Sequence, residues 1–189
     1  MTGFGTLMAM VFGVTVAAGE FRHGTATSTY LAAPDRNRVL IAKAAVAAGV
    51  GLLFGLVATA LTTGISLAFV AANGYHLALP GITIARFSLG AVLGGGLFAA
   101  IGVGLGSLLR SQLAATITVF AWFVVEQIIG GLYHTIQPYL PFTAATTMGG
   151  SPLSGTTPLP FVAAAALVAG VAAVVSALAA GTTVPRDIS

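Results

Sequence analysis

Few residues in this chain can do chemistry, and their spacing excludes most of it. There is no cysteine among the 189 residues, so disulfides and thiolate metal sites are ruled out. The three histidines, His23, His76 and His134, are far apart and form no His-Glu-x-x-His pair of the kind that places two ligands on one helix face around zinc. Ser151 follows Gly149-Gly150 with no base nearby in sequence, so a serine dyad has little support. No Gly-x-x-x-x-Gly-Lys-Ser/Thr string is present, so the chain does not cradle a nucleotide phosphate itself. One residue stands apart. Glu126 is an acid inside a long apolar run, where an ionisable group is costly and functional by default. It could line a path across a membrane or hold a cationic substrate. Equally, it could bond a neighbour and cap a helix break at Gly130-Gly131.

The elements that must position these residues follow from composition. Of the chain, 57% is hydrophobic and 6% is charged, against about 25% charged in a soluble domain. Seven Lys/Arg and four acids cannot cover a water-soluble surface of this size. A bilayer removes that need. The net charge of +3 is too small and dispersed to suggest nucleic acid. The apolar runs are continuous rather than alternating, which argues for helices and against a membrane barrel.

A crossing helix needs roughly 20 mostly apolar residues. The sequence predicts one transmembrane domain over 1–189, an all-α polytopic bundle of about five spans: 2–19, 40–71, 87–109, 113–133 and 161–180. Residues 137–160, rich in Pro, Gly, Thr and Ser, read as an outer loop that could gate a path together with His134 and Gln137. No basic stretch precedes the first apolar run, so no cleavable signal peptide is expected. Arg22, Arg36, Arg38, Lys43, Arg110 and Arg186 share one side of a five-span chain, with Arg86 alone opposite. By the positive-inside rule that side is cytoplasmic, which places the C-terminus inside and the N-terminus outside. His23 then lies on one side and His76 and His134 on the other, so the three cannot share a metal. Glu126 falls about 20 Å beyond the cytoplasmic end of its span, towards the outer leaflet. Gly51 and Gly55, and Gly90 and Gly94, have the four-residue spacing that sets small residues on one helix face for close packing.

The connection over 20–38 holds most of the charge. Thr25 or Thr27 can cap a short helix, Pro34 ends it, and Asp35 caps the helix that follows. The expectation is a short coupling helix lying across the cytoplasmic face between two spans. Arg36, Arg38 and Lys43 suit anionic lipid, or act only as orientation signals.

The string Gly19-Glu20-Phe21-Arg22-His23-Gly24-Thr25, then Tyr30-Leu31-Ala32-Ala33-Pro34, Arg36 and Ala42-Lys43, resembles the signature of type-2 ABC exporter permeases. That pattern reads roughly Glu-aromatic-Arg-x-Gly-Thr, then Leu-x-x-x-Pro-x-Arg, then Ala-Lys. Gly106-Ser107-Leu108-Leu109-Arg110-Ser111 is similar to the Gly-x-x-x-Arg-Ser turn of the same family. The resemblance implies a permease subunit in the cell membrane that moves a drug, antibiotic, lipid or peptide outward. It implies a second copy or sister permease, and separate ABC ATPase subunits that bind ATP and Mg, with no cofactor and no enzymatic step in this chain. Glu20, Phe21, Arg22, Gly24, Thr25, Tyr30, Leu31, Pro34 and Arg36 would make the ATPase-coupling segment. Members usually have six spans, and this chain is read as lacking their first helix. The alternatives are a non-transporting helper subunit and an ion-coupled carrier that uses Glu126.

Overall fold

A computed structural model describes residues 2–22, 36–74, 80–150 and 157–183. Among these the chain is helical throughout, with no strand. The α-helices are α1 (Thr2–Arg22), α2 (Arg36–Ala72), α3 (Gly81–Leu109), α4 (Gln112–Leu132), α5 (Pro141–Met148) and α6 (Phe161–Thr183). A 3₁₀ turn, Gln137–Tyr139, precedes α5. Helices α2, α3, α4 and α6 are long and apolar enough to cross a membrane, so the chain reads as membrane-spanning. The apolar part of α1, Gly3–Gly19, is shorter; at 1.5 Å per residue it covers about 25 Å. At 37 residues α2 is about 55 Å long, well beyond a hydrocarbon core of about 30 Å.

Helix α3 is the axis. It packs against every other α-helix of the bundle, and it is the most enclosed span. Its glycines explain how. Gly102 lies against the Met10 carbonyl and Gly13 against the Ala99 carbonyl, so α1 and α3 meet backbone to backbone and run parallel. A Cβ at Gly106 would stand 2.9 Å from the Val14 oxygen, one turn further on. On the other side a Cβ at Gly51 would reach the Gly95 oxygen at 2.5 Å, and one at Gly55 would reach the Val92 Cα at 2.9 Å. These contacts set α2 antiparallel to α3. The Gly51/Gly55 and Gly90/Gly94 spacings therefore do lie on packed faces. In lipid, apolar side chains gain little by leaving one apolar solvent for another, so close backbone approach and dispersion contacts carry the association.

Short connections fix the rest. Arg110 caps α3 in the left-handed conformation (φ 50°), its N–H bonded to the Gly106 carbonyl, and Ser111 caps α4 by accepting from the Ala114 amide at 3.4 Å. Two residues thus reverse the chain. The buried positions of α1 (Thr6, Leu7, Met10, Val14, Ala17, Ala18), α4 (Ala115, Val119, Glu126, Gly130) and α6 (Ala164, Val168, Ala172, Ala179) fall one or two helical turns apart, one stripe per helix.

The structure differs from the sequence expectation in three places. Helix α3 starts at Gly81 rather than 87, with Pro80 before it, so Arg86 lies within the helix; its guanidinium sits 5.4 Å from the centre of the Phe161 ring at the head of α6. Helix α4 runs unbroken to Leu132, so Gly130-Gly131 makes no break for Glu126 to cap. Lastly, the stretch 137–160 read as a loop contains α5, which is buried in the bundle. Gly24, Thr25, Tyr30, Leu31 and Pro34, and with them the expected coupling helix, lie outside the described residues.

Candidate functional site

The site is where Glu126 meets α5. After α4 the chain folds back on itself: Gln137 lies against Gly130, and Pro138 is buried. It then re-enters the bundle at Pro141. Proline suits a first helical position, because its missing N–H would have had no partner there. The chain climbs out again along α3. Phe142 stacks on Phe98 with ring centres 4.6 Å apart, Ala145 faces Gly94, Met148 lies on Gly90, and Gly150 lies on the Phe87 ring. Phe98 is seventeen residues past Gly81, about 25 Å along the helix, and eleven before Leu109. The head of α5 therefore sits deep in the span, beyond the midpoint of α3, and α5 is a re-entrant element wedged among α1, α3 and α6.

Helix α4 reaches α5 through three side chains. Trp122 and Phe123 meet the Phe142 ring edge-on at 6.1 and 5.1 Å. The third is Glu126, whose carboxylate meets the head of α5. Its Oε1 accepts a hydrogen bond from the Thr143 amide at 2.9 Å. The Phe142 amide, the Trp122 indole and the Thr143 hydroxyl also lie close to the carboxylate. The other oxygen, Oε2, is buried with no hydrogen-bond partner in proper geometry.

The arrangement has a local cause. A helix start exposes unbonded N–H groups and the positive end of the helix dipole. Leu140, at the cap position of α5, has no side-chain acceptor to offer. Glu126, seventeen residues before Thr143 and on another helix, supplies it instead. The carboxylate is 2% exposed and faces protein rather than an open channel.

The remaining candidates are not gathered here. Glu20, Phe21 and Arg22 fall in the last turn of α1 and Arg36 in the first turn of α2. These positions sit at the Arg110 end of the molecule, opposite the end where α5 enters. His134 is exposed in the connection after α4. Sequence reasoning missed Trp122, Phe142 and Thr143. The signal available for them was the run Pro141-Phe-Thr-Ala-Ala-Thr-Thr-Met148 between a proline and two glycines, which is how a short helix begins and ends.

No protein-family model, curated protein or solved structure matches this chain.

Proposed function

We propose that this chain is the membrane-spanning permease subunit of an ATP-driven ABC exporter. The observation that carries the reading is the string Gly19 to Lys43, which resembles the ATPase-coupling signature and joins α1 to α2. The packing of those two helices supports it. Both lie against α3 with backbones touching, so a push on their connection reaches the axis of the bundle without being absorbed by flexible side chains. In this mechanism the Arg-rich end faces the cytoplasm, and two ATPase subunits dock there. ATP-driven closure of the ATPases moves the connection and re-aims α1 and α2. The preference of the ATPases for one of the two bundle states shifts the population from inward to outward access. A second copy or a sister permease completes the path, and no residue of this chain makes or breaks a bond.

The test is a pull-down of the tagged chain in mild detergent, with mass spectrometry of what accompanies it, repeated for the double variant Glu20→Ala/Arg22→Ala. The expected result is an ATPase bearing a phosphate loop, with recovery reduced in the variant. A chain that reaches the membrane, folds, and brings no ATPase sinks the proposal and leaves the helper subunit or the ion-coupled carrier.

A further inference from the structure

We propose that the outward face of α4 is the surface on which a second copy of this chain docks, with Gln127 of each copy hydrogen-bonded to Gln127 of the other. Such a pairing would supply the second copy invoked above. It requires only that α4 crosses a membrane, so it stands apart from the ATPase partner.

Gln127 is the starting point. It is exposed on α4, and among the described residues its side-chain amide has no hydrogen-bond partner. Its depth follows from its neighbour. Glu126 bonds the Thr143 amide, and Thr143 lies between Phe142, stacked on Phe98, and Ala145, which faces Gly94. Residues 94–98 are the middle of α3, at least about 16 Å from either end of that helix. No glutamine side chain spans that distance to the headgroups. An amide without a partner is costly in hydrocarbon, and glutamines in membrane helices bond across to other helices. Hydroxyls on the outer faces avoid the cost locally. Thr62, Thr118 and Thr182 each donate to a carbonyl one turn back in their own helix. A primary amide has two donors and an acceptor to satisfy, which that device does not reach.

The residues around Gln127 form a seam. Leu113, Ile117, Phe120, Val124, Gln127 and Gly131 follow one another in alternating steps of four and three, and all six are exposed. That spacing is the stripe through which two helices interlock side chain into gap, and a single polar residue in such a stripe fixes register and strand number. The seam is turned away from the buried stripe of Ala115, Val119, Glu126 and Gly130. Gly131 has nothing within 4 Å, so a neighbouring backbone can come close there.

The occupant follows from the same side chain. Copies of one chain share one orientation in the bilayer, so two α4 helices meet parallel about an axis normal to the membrane, and each seam residue faces itself. A charged residue would repel its own copy. A primary amide carries both donor and acceptor, so two identical glutamines satisfy one another.

The absence of cysteine makes the test direct. Val124→Cys puts one thiol in the seam. Val125→Cys puts one at the same depth on the exposed surface beside it, and Ile65→Cys puts one on the outward face of α2. Each purified full chain is reconstituted in liposomes at a low protein-to-lipid ratio and oxidised with copper phenanthroline. Dimer is read on a non-reducing gel.

A disulfide needs its two Cβ atoms within about 4.5 Å, so Val124→Cys should cross-link on the order of tenfold faster than either control. Adding Gln127→Leu should slow the Val124→Cys reaction roughly three- to thirtyfold, the equivalent of one hydrogen bond between membrane helices. Gln127→Asn, which keeps the amide, should retain most of the rate. Gln127→Leu alters an exposed residue, so thermal unfolding followed by Trp122 fluorescence should not shift downward, which separates lost pairing from lost fold. Equal rates for Val124→Cys and Val125→Cys overturn the proposal. So does a Val124→Cys rate that Gln127→Leu leaves unchanged, and so does cross-linking that appears only when a different membrane chain is supplied. The purified chain contains no ATPase, so failure here leaves the ATPase pull-down standing, and an empty pull-down leaves the seam standing.

Discussion

Helices α2 and α3 are neighbours of similar apolar character, yet they have opposite fates. The most apolar window of α3 is 61% buried and that of α2 is 11% buried. Along α2 the large side chains Leu53, Phe54, Leu61, Ile65 and Phe69 all face outward. Along α3 the inward positions are mostly glycine and alanine, with Phe98, Ile101 and Val103 between them. In water the large apolar side chains of α2 would be drawn inside. In lipid that drive is absent, and the helix that becomes the centre is the one whose small residues let several backbones approach it. The contrast teaches that hydrophobicity selects the class of protein here, while glycine placement selects the arrangement.

Four substitutions would break or sharpen that contrast. The largest effect is expected for Gly102→Val. Its side chain would strike the Met10 backbone, which cannot rotate away. The loss should exceed about 3 kcal/mol, seen as aggregation in size-exclusion chromatography, while Gly64→Val on α2, with nothing within 4 Å, should elute as the parent does. Next, Phe142→Ala removes the ring that anchors α5 to Phe98, Trp122 and Phe123, and should cost about 3 kcal/mol. Trp122 is the single tryptophan of the chain, so its fluorescence reports thermal unfolding at the site of the change. The smallest effect belongs to Leu61→Ala on the outward face of α2, 60% exposed, where stability should move by no more than about 0.5 kcal/mol. A loss well above that would mean that another chain covers this face in the assembled protein, and α2 would then be a second interior helix rather than a rim.

Much of this was legible before the structure. Apolar stretches bounded by charges or by polar, Pro- and Gly-rich segments indicated every long helix, because charge in a bilayer is expensive at the middle of a span and cheap at its ends. The start of α3 was not legible, since by the same rule a charge such as Arg86 marks the end of an apolar stretch. It lies in the helix, with its charge over the Phe161 ring. Helix α5 was hidden for a different reason. Proline, glycine and threonine are loop formers in water-facing chain. Here Pro141 starts a helix, and Thr146 and Thr147 satisfy their hydroxyls on the carbonyls of Thr143 and Ala144. Eight residues are too few for a periodicity to stand out.

Glu126 shows where the two kinds of knowledge divide. The sequence by itself determined that this is a helical membrane chain, where its charges lie, and that one acid sits inside a span. It could not say what that acid meets, because α4 is apolar on all sides and no pattern marks which stripe turns inward. Only the tertiary structure decided that Glu126 lies on the inward stripe with Ala115, Val119 and Gly130, and that the Thr143 amide, seventeen residues downstream in the first turn of α5, comes back to meet it. The physical reason is that helix formation in a bilayer is local and set by composition. The choice of neighbours depends on shape and on unpaired polar atoms, which exist only once the chain has folded.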